Sequence, residues 1–214
     1  MDQYKQNTTT LDQGHDMYDS GNRSTAQPLT FGYPKIDTID RDFRLACRWQ
    51  PNIDISRHNI TVNSSYIRLT CAAQGSGAYT SGVHVHDGSA PNLSTTNLAF
   101  GYTDIGNSQN WSISTNWVVG TEYTSPDMKL AVKDWFDRGG YSSSDYIGLI
   151  VDGGDSASDE YKDCYNANYS TASYRPELEI NYDLIFKDDI NAVPNANIDE
   201  INGISLEDIY SVSS

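Results

Sequence analysis

The chain has 214 residues, with 29 acidic against 14 basic side chains and a formal net charge of −15. That length fits one core with extensions better than two full domains, although the hydrophobic share of 37% is low. With no compact basic patch to neutralise phosphates, duplex nucleic acid is excluded as a partner, and the lack of any run of ~18 apolar residues excludes a membrane-spanning helix.

Residues 1–16 are polar and read as an N-terminal arm. They lack the charged-then-apolar pattern of a secretory leader, so a leader already removed, or another exit such as virion release, is expected. Leu29, Phe31 and Tyr33 share one phase of a strand, and Phe43, Leu45, Cys47 and Trp49 share another, with Arg44 and Arg48 on the opposite face. Ile67, Leu69 and Cys71 alternate with Tyr66, Arg68 and Thr70; Val83 and Val85 alternate with His84 and His86; Trp111, Ile113, Trp117 and Val119 give a fifth instance. Ser125-Pro126-Asp127 predicts a helix start with Ser125 as N-cap. Met128, Val132, Trp135 and Phe136 then form an apolar stripe that Gly139-Gly140 ends. Tyr146 to Val151 is too short for another helix and too apolar for a loop, which predicts a buried strand. Leu178, Ile180 and Tyr182 against Glu177, Glu179 and Asn181 predict a strand with one wet face. Turn clusters such as Gln74-Gly75-Ser76-Gly77 and Asp152-Gly153-Gly154-Asp155 separate these pieces. Many short strands with one helix predict an all-β fold. The expected form is a two-sheet jelly-roll β-sandwich over 17–186, with 1–16 and 187–214 as extended terminal arms.

The order of pieces from about Tyr18 to Tyr182 resembles a family. Asp19-Ser20-Gly21-Asn22, Phe43-Arg44-Leu45, Ser65-Tyr66-Ile67-Arg68-Leu69, Val83-His84-Val85-His86-Asp87 and Asn116-Trp117 come first. Tyr123-Thr124-Ser125-Pro126-Asp127 with its helix, Gly139-Gly140-Tyr141, Ile147-Gly148-Leu149 and Arg175-Pro176-Glu177-Leu178-Glu179-Ile180-Asn181-Tyr182 follow. This resembles the DNRLRE-type, carbohydrate-binding-module-like β-sandwich of secreted bacterial and archaeal proteins and phage structural proteins, although the namesake motif is not present as such. The resemblance implies a jelly-roll accessory domain without a shared catalytic centre. Some relatives bind polysaccharides, but no ligand motif here matches theirs.

His84 and His86 share a strand face about 7 Å apart, with Asp87 adjacent, a spacing open to a metal or to two solvated polar residues. Asp152, Asp155, Asp159, Glu160 and Asp163 crowd one acidic loop. Oxygen ligands of that kind suit Ca²⁺, but the spacing fits no EF-hand, which favours a solvated turn. No nucleophile elbow, phosphate loop or HExxH occurs, so no enzymatic activity is expected. The three cysteines cannot all pair within one chain, and Cys47 and Cys71 read as inward-facing thiols. Asn7, Asn22, Asn59, Asn63, Asn92, Asn110 and Asn168 head glycosylation sequons, usable on a secretory route.

Beyond Phe186, Asn191 to Asn197 is a linker composition, after which Ile198, Ile201, Ile204, Leu206, Ile209, Tyr210 and Val212 bring apolar groups back. Ser205-Leu206-Glu207-Asp208 resembles a helix start, and the Ile201 to Ile209 run resembles segments near the ends of phage virion proteins. Too small for a core of its own, this tail is expected to bind an adjacent copy. The sequence therefore predicts a structural subunit of an extracellular filament or virion surface, partnered with itself. The alternative is a carbohydrate-binding module using exposed Tyr, Trp and Asp, and a hydrolase accessory fragment comes third.

Overall fold

A computed structural model describes residues 2–7, 13–17, 23–24, 28–36, 39–93, 98–114, 116–186, 200–201 and 204–205. In chain order they form β1 (Asp2–Asn7), β2 (Gln13–Met17), β3 (Arg23–Ser24), β4 (Leu29–Tyr33), β5 (Lys35–Ile36), β6 (Ile39–Asp40), β7 (Phe43–Trp49), β8 (His58–Ala73) and β9 (Tyr79–Val85). Then come α1 (Leu98–Gly101), β10 (Gln109–Ile113), β11 (Glu122–Thr124), α2 (Lys129–Asp137), β12 (Ile147–Val151), β13 (Glu160–Cys164), a 3₁₀ turn (Ala172–Tyr174), β14 (Glu177–Phe186), β15 (Glu200–Ile201) and β16 (Ile204–Ser205).

The protein is all-β in its main body. One antiparallel curled sheet runs β1-β14-β8-β13-β4-β7-β12-β9-β10, with β11 added to β8 and β2 to β7. Its long strand β8 pairs with β14 from His58 to Arg68 and meets β13 only at Cys71 and Ala73, where the register shifts. This hand-over curls the sheet. Phe31, Leu45, Cys47, Trp49, Ile67, Leu69, Val83, Val85 and Ile180 all face the enclosed core, as their alternation predicts. Within 1–16, read as an arm, Asp2–Asn7 pairs with β14 and Gln13–Met17 with β7 of the same chain.

Helix α2 covers this core with Met128, Val132, Trp135 and Phe136, the expected stripe. Its start differs from expectation. Ser125 accepts from the Ile67 N–H at 3.0 Å and so fastens the approaching chain to β8 instead of capping the helix. Met128 stands at the N-cap with no side-chain cap bond, and Asp127, one residue before it, accepts from the Lys129 N–H at 3.0 Å and the Ser65 N–H at 2.9 Å.

A second helix was not expected. Leu98 and Ala99 of α1, with Ala90 and Leu93, bury Ala46 of β7 and Ile150 of β12 from the outer side. Both faces of β12 are therefore dry, which is why its sequence shows no alternation. The run from Trp111 to Val119 is also shorter than predicted. Its strand ends at Ile113, Trp117 reaches the core from a loop, and Val119 is 52% exposed. Glu179, assigned to a wet face, is nearly buried because Arg68 lies over it with an Nη2 to Oε2 distance of 2.5 Å.

Candidate functional site

On the outer face of the β7-β12-β9 segment, six polar side chains meet: Asp42, Arg44, His84, Tyr102, Asp104 and Asp152. His84 Nδ1 lies 2.6 Å from Asp104 and Nε2 lies 3.1 Å from Asp152, with the Tyr102 ring 5.2 Å away. Burial pushes the imidazole pKa down, but the hydrogen bonds and charges of Asp152 and Asp104 outweigh it, and the net shift is upward. For Asp152, burial raises the pKa, and the His84 and Gly82 hydrogen bonds bring it below the usual carboxylate range. Close approach is possible because residue 82 is glycine; a Cβ there would sit 2.5 Å from His84 Nε2. Arg44 binds Asp42 at 2.9 Å and stacks over Phe100 at 4.4 Å. Burial raises the Asp42 pKa, and its Oδ1 has no hydrogen-bond partner among the described residues. Both ring nitrogens lie against carboxylates, and the protonated imidazole can donate one N–H to each.

The residues singled out for metal do not converge. His86 faces the same way as His84 but accepts from the Thr103 N–H at 3.2 Å. Asp152 serves His84 and Gly82, Asp155 the Thr80 N–H, Asp159 the Lys35 N–H at 3.3 Å, and Asp163 the Thr30 hydroxyl at 2.7 Å. These carboxylates thus reach three strands, β4, β5 and β9, and Gly154 turns the loop at φ +54°. Among the described residues no three His, Cys, Asp or Glu side chains are grouped to hold a metal ion.

A different surface is the more open one. Tyr165, Tyr169 and Tyr174, all partly exposed, form a three-ring cluster: Tyr174 stacks with Tyr165 at 5.1 Å and with Tyr169 at 5.8 Å, and the Tyr165 and Tyr169 rings, 4.0 Å apart, are tilted by 32°. Tyr165 shares a side-chain hydrogen bond with Tyr169 that pushes its phenol pKa up. The loop holding them is braced. Asn166 is buried and accepts from the Asn168 N–H at 2.8 Å, Arg175 Nε donates to the Tyr169 carbonyl at 2.9 Å, and the 3₁₀ turn sets Tyr174. Gly120 lies near the Tyr174 hydroxyl, 3.5 Å from where a Cβ would stand. Sequence reasoning missed this cluster, because tyrosines 165, 169 and 174 share no strand or helix period.

Lys162 was missed too. Its side chain is fully buried, and Nζ donates to the carbonyls of Ser76 at 2.6 Å, Gly77 at 2.7 Å and Tyr161 at 3.3 Å. Burial lowers its pKa. Separately, a shallow cavity of about 580 Å³ lies between Asp54, Ser56, Arg138 and Tyr141. Arg138 is spoken for there, paired with Asp145 and stacked 4.1 Å above Trp135.

Of the sequons, Asn59, Asn92, Asn110 and Asn168 are exposed, and Asn63 donates to Asp183 at 2.8 Å. Asn7 lies in β1, and Asn22 falls outside the described residues. Of the tail positions, Ile201 lies in β15 and Ile204 in β16; Ile198, Leu206, Ile209, Tyr210 and Val212 lie outside the described residues. No protein-family model matches the chain, and no curated protein matches it.

Proposed function

We propose that this chain is a non-enzymatic, jelly-roll module that binds a neutral polysaccharide on an extracellular or virion surface. The observation that carries the reading is the braced cluster of Tyr165, Tyr169 and Tyr174. Partly exposed tyrosines combine an apolar ring face, suited to the C–H face of a sugar, with a hydroxyl suited to its rim. Bracing of the loop removes part of the ordering cost of binding. The net charge of −15 disfavours a polyanionic glycan, particularly at low salt. The curled antiparallel sheet, crossed between distant strands such as β1 with β14 and β13 with β4, is compatible with jelly-roll connectivity.

Native affinity electrophoresis through gels containing starch, xylan, mannan or a mixed-linkage glucan tests this reading. At least one gel is expected to retard the wild type, and Tyr169→Ala and Tyr174→Ala to weaken binding about tenfold, or ~1.4 kcal/mol. Equal mobility of wild type and variants in every gel overturns it.

A second reading, that copies assemble through the C-terminal tail, is favoured by one observation: β15 and β16 pair with each other and with no other described strand.

A further inference from the structure

We propose that Cys71 and Cys164 form a cross-strand disulfide when the chain folds under oxidising conditions, clamping β8 to β13. The two cysteines stand opposite each other in the antiparallel ladder. Cys71 spends its backbone groups on its other side, its N–H donating to the Thr121 carbonyl at 3.0 Å and its carbonyl accepting from the Gly120 N–H at 2.9 Å. Cys71 and Cys164 are therefore a non-hydrogen-bonded pair, the type in which Cα atoms are about 4.5 Å apart and side chains are closest. That separation lies inside the roughly 4.4–6.8 Å range of disulfides. Both side chains are fully buried on the core side, so they project from the same face of the sheet. Cys47 has other ladder partners, Leu149 and Gln13.

The place matters mechanically. β8 meets β13 at only Ala73 and Cys71, across a register shift, and this is the hand-over that curls the sheet. A bond here closes the long loop from 71 to 164, the kind of closure that restricts the unfolded chain most. Burial raises the pKa of both thiols, that of Cys164 well above its ordinary value. Thiolate is thus scarce once the core has closed, and the bond forms during folding. With oxidised glutathione as oxidant, one cysteine thiolate breaks the glutathione S–S bond to give a mixed disulfide and a glutathione thiol. The second thiolate displaces the other glutathione, so two cysteine thiols become one S–S bond and the two protons and electrons leave as two glutathione thiols.

The test is refolding of the full, reduced chain in a glutathione redox buffer, followed by alkylation and a non-reducing peptide map of the monomer. The expected map shows Cys71 linked to Cys164 with Cys47 alkylated, and the oxidised protein melts at a higher temperature than the reduced one. Cys47→Ala is expected to lose both remaining thiols, and Cys71→Ala to keep both of its own. Three alkylated cysteines after oxidative refolding, or a bond involving Cys47, overturns the proposal. Because the wild-type map alone decides, misfolding of a variant leaves the outcome intact, and the polysaccharide assay above is independent of it.

Discussion

His84 lies between two carboxylates that favour its protonated form, and that arrangement ties stability to pH in a defined direction. Its pKa in the folded chain is raised above the ordinary value of 6.5. The clamp's contribution is therefore complete below that value and is lost as pH rises through the folded pKa. Asp152 bounds the other side. Its pKa is depressed below 3.8, so its contribution is present above that value and is lost as pH falls through the folded pKa. Arg44 and Asp42 adjoin the clamp as an ion pair, burial pushes the Asp42 carboxyl up, and the Tyr102 phenol is pushed up by burial and the nearby carboxylates. Thermal unfolding of wild type and His84→Gln should differ most near about pH 5–6 and converge as pH rises toward about 9. A gap that stays constant across that range would show that the proton is not what stabilises the clamp. The sequence placed His84 and His86 on one face correctly. It could not show that loop residue Asp104 and turn residue Asp152 would close on one ring from two sides, because the three are brought together only by the fold.

Helix α2 shows what is legible at the scale of an element. Its apolar stripe and its Gly139-Gly140 stop depend on neighbours within a few residues, so the sequence reveals both. What Ser125 does depends on β8, 58 residues earlier, and for that reason its capping role was misread. Local pattern likewise hides α1, a single turn whose apolar residues serve the outer face of β7 and β12. Trp135 is the anchor of α2. Its indole N–H donates to the Gly88 carbonyl at 2.7 Å, its ring meets Phe136 and Tyr141 edge-on at 5.1 and 5.3 Å, and Arg138 covers one face. Trp135→Ala leaves a large cavity and an unpaired carbonyl, with an expected loss of about 3–5 kcal/mol. Urea unfolding measures it, and a loss below ~1 kcal/mol would contradict the packing described.

At the scale of the whole molecule, strand alternation identified the inward residues, but the order of strands in the sheet could not be read because its ladders join distant segments. β1 closes against β14, and β13 sits between β4 and β8. The same ladders separate the sheet from the tail. The pairing from β1 to β14 uses no residue beyond Phe186, and β15 and β16 form a sheet of their own. Two strand edges end the main sheet: among the described residues β10 pairs only with β9, and β1 only with β14. An apolar hairpin on a linker, supplied by another copy, would find backbone donors and acceptors along such an edge and bury its isoleucines there. Repeated head to tail, with a rotation that does not close, this contact makes a filament and not a ring. Deleting residues 190–214 is thus expected to leave the melting transition and β-rich circular dichroism of the sheet intact while abolishing polymers seen by negative stain and light scattering. Filaments from the truncated chain, or a full-length chain that stays monomeric at high concentration, would remove the tail from assembly and leave the tyrosine surface as the functional part of the molecule.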